Sequence, residues 1–186
     1  MTFGVMFHHF HDHFHKRGQG SISKNEFINI ISFLKKKYIL NNADVYIEKI
    51  LKKEITAKDI CLTFDDSLKC QMDIALSILK KEKIKAFFFV YSGAFKDNPD
   101  NLEIFRYFRN TKYQNINLFY KDFFQYLRNS FSADFLKFQK KFTIKYLSQY
   151  KFYTTKDKQF RFCRDKILNK DSYEALMFKL MKKKKF

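Results

Sequence analysis

Two carboxylates, Asp65 and Asp66, stand side by side directly after the apolar run Ile60-Cys61-Leu62-Thr63-Phe64. Like charges a few ångströms apart repel, and burial disfavours both ionised forms, so a pair held at the end of a buried strand is costly. A divalent cation resolves the conflict. In that arrangement Asp66 binds the metal, while Asp65 faces a metal-bound water and removes its proton, making the hydroxide that attacks a carbonyl. A purely structural reading competes with it: Asp65 and Asp66 cap the helix that follows and interact with its N-terminal dipole.

All 5 histidines of the chain fall in Phe7-His8-His9-Phe10-His11-Asp12-His13-Phe14-His15, so no other imidazole can serve a site elsewhere. In an extended stretch, alternation puts His9, His11, His13 and His15 on one side, and neutral imidazole nitrogens in such a row bind zinc or a related metal. The alternative is a solvated turn that happens to be rich in histidine. Cys61, Cys70 and Cys163 give neither an even set nor the short paired spacing of a zinc knuckle. The three fit a reducing compartment, and Cys61 and Cys70, with no histidine or basic partner at a recognisable spacing, read as buried small apolar groups.

The elements that must position these residues are legible from periodicity. Residues 2–10 read as a buried strand leading into the histidine-rich turn, bounded by Gly18 and Gly20. Ser23 with Glu26 makes a capping box, after which Phe27, Ile30, Ile31 and Leu34 recur at helical spacing. A shorter helix is expected over residues 43–53. Residues 60–64 form a strand, Ser67 stands where it could cap a helix over 68–83, and 84–91 form the next strand. Strand, helix and strand over 60–91 have the length of a βαβ unit, whose strands are parallel and whose chemistry lies at the strand C-terminal ends. Beyond Asn98 and Pro99 the periodicity turns helical, over residues 102–110, 116–129, 133–150, 159–168 and 172–185. The aromatic residues Phe119, Tyr120, Phe123, Phe124 and Tyr126 could stack bases or sugar rings, but at this spacing they read as core.

The formal charge of +18 raises the question of a nucleic-acid partner. The lysines are spread along the chain, and Lys, Phe, Asn and Ile are over-used together, as an AT-rich coding sequence produces without selection for binding. Basic-stripe recognition is therefore the lesser reading, and nucleic acid is not the expected partner. The sequence shows neither the basic start and long apolar run of a secretory signal nor the roughly 18 to 20 apolar residues that span a bilayer. The expected location is cytoplasmic, with peripheral membrane contact through an amphipathic basic helix carrying Leu176, Met177, Leu180, Met181 and the terminal lysines as a further option.

Taken together, these residues carry a resemblance. Ile60-Cys61-Leu62-Thr63-Phe64-Asp65-Asp66-Ser67-Leu68, then residues 75–79, then Ile84-Lys85-Ala86-Phe87-Phe88-Phe89-Val90, resembles the first motif and following βαβ unit of the polysaccharide deacetylase (NodB-like) family. The opening Met6-Phe7-His8-His9-Phe10-His11-Asp12, with Gly18-Gln19-Gly20-Ser21-Ile22-Ser23, is similar to a branch associated with bacterial surface-polysaccharide or lipopolysaccharide synthesis. The resemblance implies an α/β fold: the N-terminal part of a distorted (β/α) barrel over residues 1–95, carrying the Asp-Asp motif, and a helical insertion or lobe over 96–186. It implies a hydrolase that removes an acetyl group from an acetylated sugar, with Asp65 as general base, Asp66 as metal ligand and a divalent cofactor, zinc by expectation.

The family completes its metal site with a His-Ser/Thr-x-x-His motif further along the chain, and no histidine follows His15. His9 and His11 are the substitute ligands read here, with His8 as a further candidate. The later Arg-Pro-type motif and acid histidine are likewise not visible. A truncated gene, a fragment, or a separate chain that completes the barrel would give this picture. The alternatives in other classes are an inactive carbohydrate-binding or interaction module, and a basic nucleic-acid-binding protein.

Overall fold

The computed structural model describes residues 3–96 and 99–186. Thr2 and Asn98, at the start of one expected strand and at the expected change of character, lie outside the described residues. The chain divides into two compact units, Met1–Asp100 and Asn101–Phe186.

The first unit is organised around one strand. β1 (Phe3–Phe7) and β5 (Asp59–Phe64) pair in parallel from Phe3 opposite Ile60 to Phe7 opposite Phe64. On the other edge of β5, β4 (Ile39–Leu40) pairs near its start and β6 (Phe87–Phe88) near its end, both parallel. A short pair, β2 (Phe10–His11) with β3 (Ile22–Ser23), stands apart. β5 is buried along nearly its whole length, which explains why it reads as a continuous apolar run and not as an alternating one. Its Ile60, Leu62 and Phe64 face a core built from Phe27, Ile31 and Leu34 of α1 (Lys24–Lys37) and from Ile74, Ile78 and Leu79. α1 starts where the capping box predicts it: Ser23 N–H donates to Glu26 Oε2 at 2.6 Å, and Glu26 N–H donates to Ser23 Oγ at 3.3 Å.

α2 (Ala43–Leu51) and α3 (Leu76–Lys81) complete the helices of this unit. The segment after β5 differs from expectation. Ser67 sits at φ 51° and caps no helix; the chain enters a π-helical turn, Gln71–Ala75, before α3. The strand expected over 84–91 is confined to β6. At the N-terminal end of β5, buried Asp59 accepts hydrogen bonds from Lys49 Nζ at 2.5 Å, Thr56 Oγ1 at 2.6 Å and Asn41 Nδ2 at 2.9 Å. That network joins β4, α2 and the turn before β5, so this end of the sheet is a structural joint.

The second unit is helical: α4 (Asn101–Lys112), α5 (Ile116–Ser130), α6 (Ser132–Lys141), α7 (Thr155–Phe162) and α8 (Lys170–Lys183). Its core is aromatic. Phe119, Tyr120, Phe123 and Leu127 form the buried face of α5, and the Phe160 ring meets Phe123 at 4.9 Å and Phe119 at 5.3 Å in edge-to-face geometry. The stacking-platform alternative for these rings is therefore not needed. α6 stops at Lys141 where the periodicity extends to 150, and residues 144–149 form turns. The proposed membrane-binding face of the last helix is corrected as well. Leu176, Met177 and Leu180 are buried in this core and Met181 packs against it, so the apolar stripe is already covered. Among the described residues, no helix is long and apolar enough to cross a membrane.

Candidate functional site

Parallel pairing in the register Phe7 to Phe64 carries the chain beyond β1 and the chain beyond β5 to the same sheet end. His8 follows β1; Asp65 and Asp66 follow β5. His8 Nε2 lies 2.6 Å from Asp66 Oδ2, both side chains about one-third exposed, at 33% and 32%. This is the C-terminal end of the parallel strands, where open α/β sheets place their ligands.

The turn that makes this contact is strained. Asp66 at φ 66° and Ser67 at φ 51° are consecutive residues in the left-handed region, which costs on the order of 1 kcal/mol for a residue with a Cβ and is tolerated best by Asp and Asn. The reversal takes the backbone out of β5 while the Asp66 carboxylate stays over the end of β1.

A residue that the sequence reading missed holds the two strand ends together. Gln71 is fully buried, and its Nε2 donates to the His8 carbonyl at 2.9 Å and to the Asp65 carbonyl at 2.6 Å. One side-chain amide thus fixes the backbone on both sides of the His8–Asp66 contact. The available signal was a Gln between Cys70 and Met72 in the first turns of an otherwise apolar helical pattern; its partners are remote in sequence, so nothing local betrayed its role.

The histidine row does not exist as expected. The chain leaves β1 at Phe7, re-pairs at Phe10–His11, and then bends, with Asp12 Oδ1 accepting from the N–H groups of Phe14 and His15 at 2.8 Å each. His9 stays near the site, its ring centroid 4.3 Å from that of His8. His11 turns away, with Nδ1 3.0 Å from Ser21 Oγ. His15 Nε2 pairs with Asp73 Oδ2 at 2.8 Å, and Lys69 together with His15 holds the Asp73 carboxyl below the ordinary range. His13 is exposed, against the Phe14 ring. Asp66, His8 and His9 are therefore brought together, with Asp65 adjacent in the chain; His11, His13 and His15 are not part of that group.

A nitrogen of His8 and one of His9 come within 4.8 Å of each other, and a carboxylate oxygen of Asp66 comes within 4.8 Å of one of Asp100. Imidazole nitrogens and carboxylate oxygens are both donor types that a divalent ion such as zinc accepts. Residues 52–114 match the polysaccharide deacetylase family model. The matched segment contains β5, the Asp65-Asp66 pair, the left-handed turn, Gln71 and β6, and it supports a polysaccharide deacetylase domain. His8 and His9 lie outside it and reach the site through β1. Comparison with curated proteins and with solved structures gave no match. The parallel α/β sheet is consistent with a deacetylase-type fold.

Proposed function

We propose that this chain is a cytoplasmic, metal-dependent hydrolase that removes the acetyl group from an N-acetylated sugar of a bacterial surface polysaccharide or lipopolysaccharide, in a site whose first part is the end of a distorted barrel. The observation that carries the reading is the 2.6 Å contact between His8 Nε2 and Asp66 Oδ2 beside Asp65, with Asp65 and Asp66 inside the deacetylase match. Asp66, His8 and His9 would hold the ion, His8 and His9 in place of the downstream histidine pair of the family motif. Such an ion supplies Lewis acidity toward the acetyl carbonyl and toward a water molecule.

The chain's own residues perform the proton work. Asp65 accepts the proton of the attacking water as its oxygen bonds to the acetyl carbon, and returns a proton to the sugar nitrogen as the carbon–nitrogen bond breaks, releasing acetate and the free amine. Gln71 keeps the Asp65 and His8 backbones in place during this exchange. Phe89 follows β6, is 56% exposed, and receives the Ser67 hydroxyl at its carbonyl at 3.5 Å. The exposed Phe89 ring would offer an apolar platform for the face of a sugar.

The test is calorimetry with zinc on the parent chain, Asp66→Ala, His8→Ala and Asp65→Asn, followed by acetate release from N-acetylated chitin oligosaccharides. Zinc binding lost in Asp66→Ala and His8→Ala but kept in Asp65→Asn, with acetate release lost in all three, is the expected pattern. A parent that binds no zinc and releases no acetate would make the chain an inactive carbohydrate-binding or interaction module.

A further inference from the structure

Formal charge is divided unevenly along the chain. The second unit, Asn101–Phe186, carries 21 Lys and Arg against seven Asp and Glu, which is +14 of the total +18 on fewer than half of the residues. Contacts within the unit use some of it. On α8, Lys183 Nζ lies over the Tyr126 ring at 5.3 Å, and Lys184 Nζ lies over the Tyr113 ring at 4.7 Å and pairs with Asp122 at 3.2 Å. The apolar stripe of the same helix, Tyr173, Leu176, Met177 and Leu180, is inside the core. A different face of α8 remains outside.

That face joins the C-terminal ends of α4 and α8. Phe178, 45% exposed, meets Phe105 of α4 at 5.2 Å. One turn further along α4, Phe108 meets Phe186 at 5.2 Å, and Phe186 meets Tyr107 at 6.0 Å. Tyr107 is 64% exposed and Phe186 42%. Single exposed rings are ordinary on a protein surface, whereas three linked through two buried phenylalanines make an apolar patch. Lysines stand around it. Lys182 follows Phe178 by one turn on the same side of α8, and Lys112 Nζ lies 5.7 Å from the Phe186 ring centroid while donating to the Lys185 carbonyl at 3.1 Å. Lys112, Lys182 and Lys185 are exposed, and among the described residues none of the three has a carboxylate in ion-pair range. Glu174 and Asp171 lie one and two turns before Phe178, so acid is confined to the other end of the helix.

The chemistry of the patch selects its partner. A second copy of the chain is disfavoured, because pairing these faces sets +14 against +14. Nucleic acid is gripped by a stripe of basic groups with stacking rings interleaved, but here the rings lie together and the lysines stand at the margin. Grouped rings with long cationic side chains around them suit the boundary between water and a bilayer. Aromatic rings settle at headgroup depth, lysine stems follow the apolar surface, and the ammonium groups reach lipid phosphates. The surplus charge of the unit adds attraction to an anionic leaflet.

We propose that the C-terminal ends of α4 and α8 dock the second unit on an anionic lipid bilayer, with Tyr107, Phe178 and Phe186 in the headgroup layer and Lys112, Lys182 and Lys185 on the lipid phosphates. The surface stands on the second unit alone and does not depend on the deacetylase reading. The chain contains no Trp, so Phe178→Trp places a single fluorescent reporter in the patch, and Tyr107→Trp is a second reporter should the first fail to fold. The full chain is sedimented with vesicles of phosphatidylcholine alone and of phosphatidylcholine with phosphatidylglycerol. Binding to the anionic vesicles, little binding to the neutral ones, a blue-shifted reporter and its protection from acrylamide are expected. Lys112→Gln/Lys182→Gln and Tyr107→Ser/Phe178→Ser each weaken binding at least about tenfold, whereas Lys156→Gln/Lys166→Gln, which removes the same charge elsewhere in the unit, weakens it by less than about threefold. Thermal unfolding checks that each variant is folded. Absence of binding to anionic vesicles, binding without a reporter shift, or equal loss in the Lys156/Lys166 variant would overturn the proposal. So would a reporter that is already shifted and protected in the free chain as its concentration rises, which assigns the patch to a second copy, or displacement from the vesicles by a mixed-sequence single-stranded RNA, which assigns it to nucleic acid. Asp66→Ala leaves vesicle binding intact, so failure here and failure of the deacetylase reading are separable.

Discussion

Replacing Phe64 by alanine tests the arrangement that carries the Asp pair. Phe64 is the last residue of β5 and has no exposed surface; its ring stacks on Phe88 at 4.6 Å and meets Phe7 at 5.7 Å, Phe10 at 6.1 Å and Phe27 at 6.1 Å. A buried phenylalanine removes on the order of 150 Å² from water, worth about 4 kcal/mol at ~25 cal/mol per Å². Part of that is retained by the alanine methyl, and the cavity left among four rings adds a cost of its own, so a loss of about 3 to 5 kcal/mol is expected. Phe64→Leu fills most of the space and should cost only about 1 to 1.5 kcal/mol. Urea denaturation followed by circular dichroism measures both, and amide exchange at residues 59–64 localises the effect. Asp65 and Asp66 follow directly, so zinc affinity should fall in the same order. Should Phe64→Ala cost under about 1 kcal/mol and leave exchange in β5 unchanged, the claim that this ring anchors the site-bearing strand is refuted.

Two further outcomes concern the same unit. Gln71→Leu removes donors from the carbonyls of His8 and Asp65; two lost hydrogen bonds at about 0.5 to 1.5 kcal/mol each predict a loss of about 1 to 3 kcal/mol in urea denaturation, together with weaker zinc binding. Lys49, Thr56 and Asn41 hold the Asp59 carboxyl far below its ordinary value, so its ionised form stabilises the fold at neutral pH, and that contribution is lost as pH falls below about 4 toward the folded value. Asp59→Asn should therefore be less stable than the parent at pH 7, with the difference narrowing as pH falls from about 4; a difference that stays constant down to pH 2 would show that ionisation is not the source.

Local signals and long-range contacts divide this protein cleanly. The capping box at Ser23 and Glu26, the buried run of β5, its parallel pairing with β6 and the aromatic face of α5 are written in short stretches, because helix capping, helical periodicity and burial on both strand faces each leave a local pattern. The adjacent Asp65 and Asp66 were legible for the same reason. What the sequence left open is which histidine meets them. Alternation pointed to His9 and His11 on one side of an extended stretch, but that pattern presumes an unbroken strand, and the chain leaves β1 at Phe7 and re-pairs with β3 at Phe10–His11, where His11 meets Ser21. His8 reaches Asp66 because β1 pairs β5 in one particular register and because two left-handed residues turn Asp66 back. Register and the Gln71 clamp both join residues far apart in sequence. Only the packed chain sets them, since each depends on a partner that no local window contains.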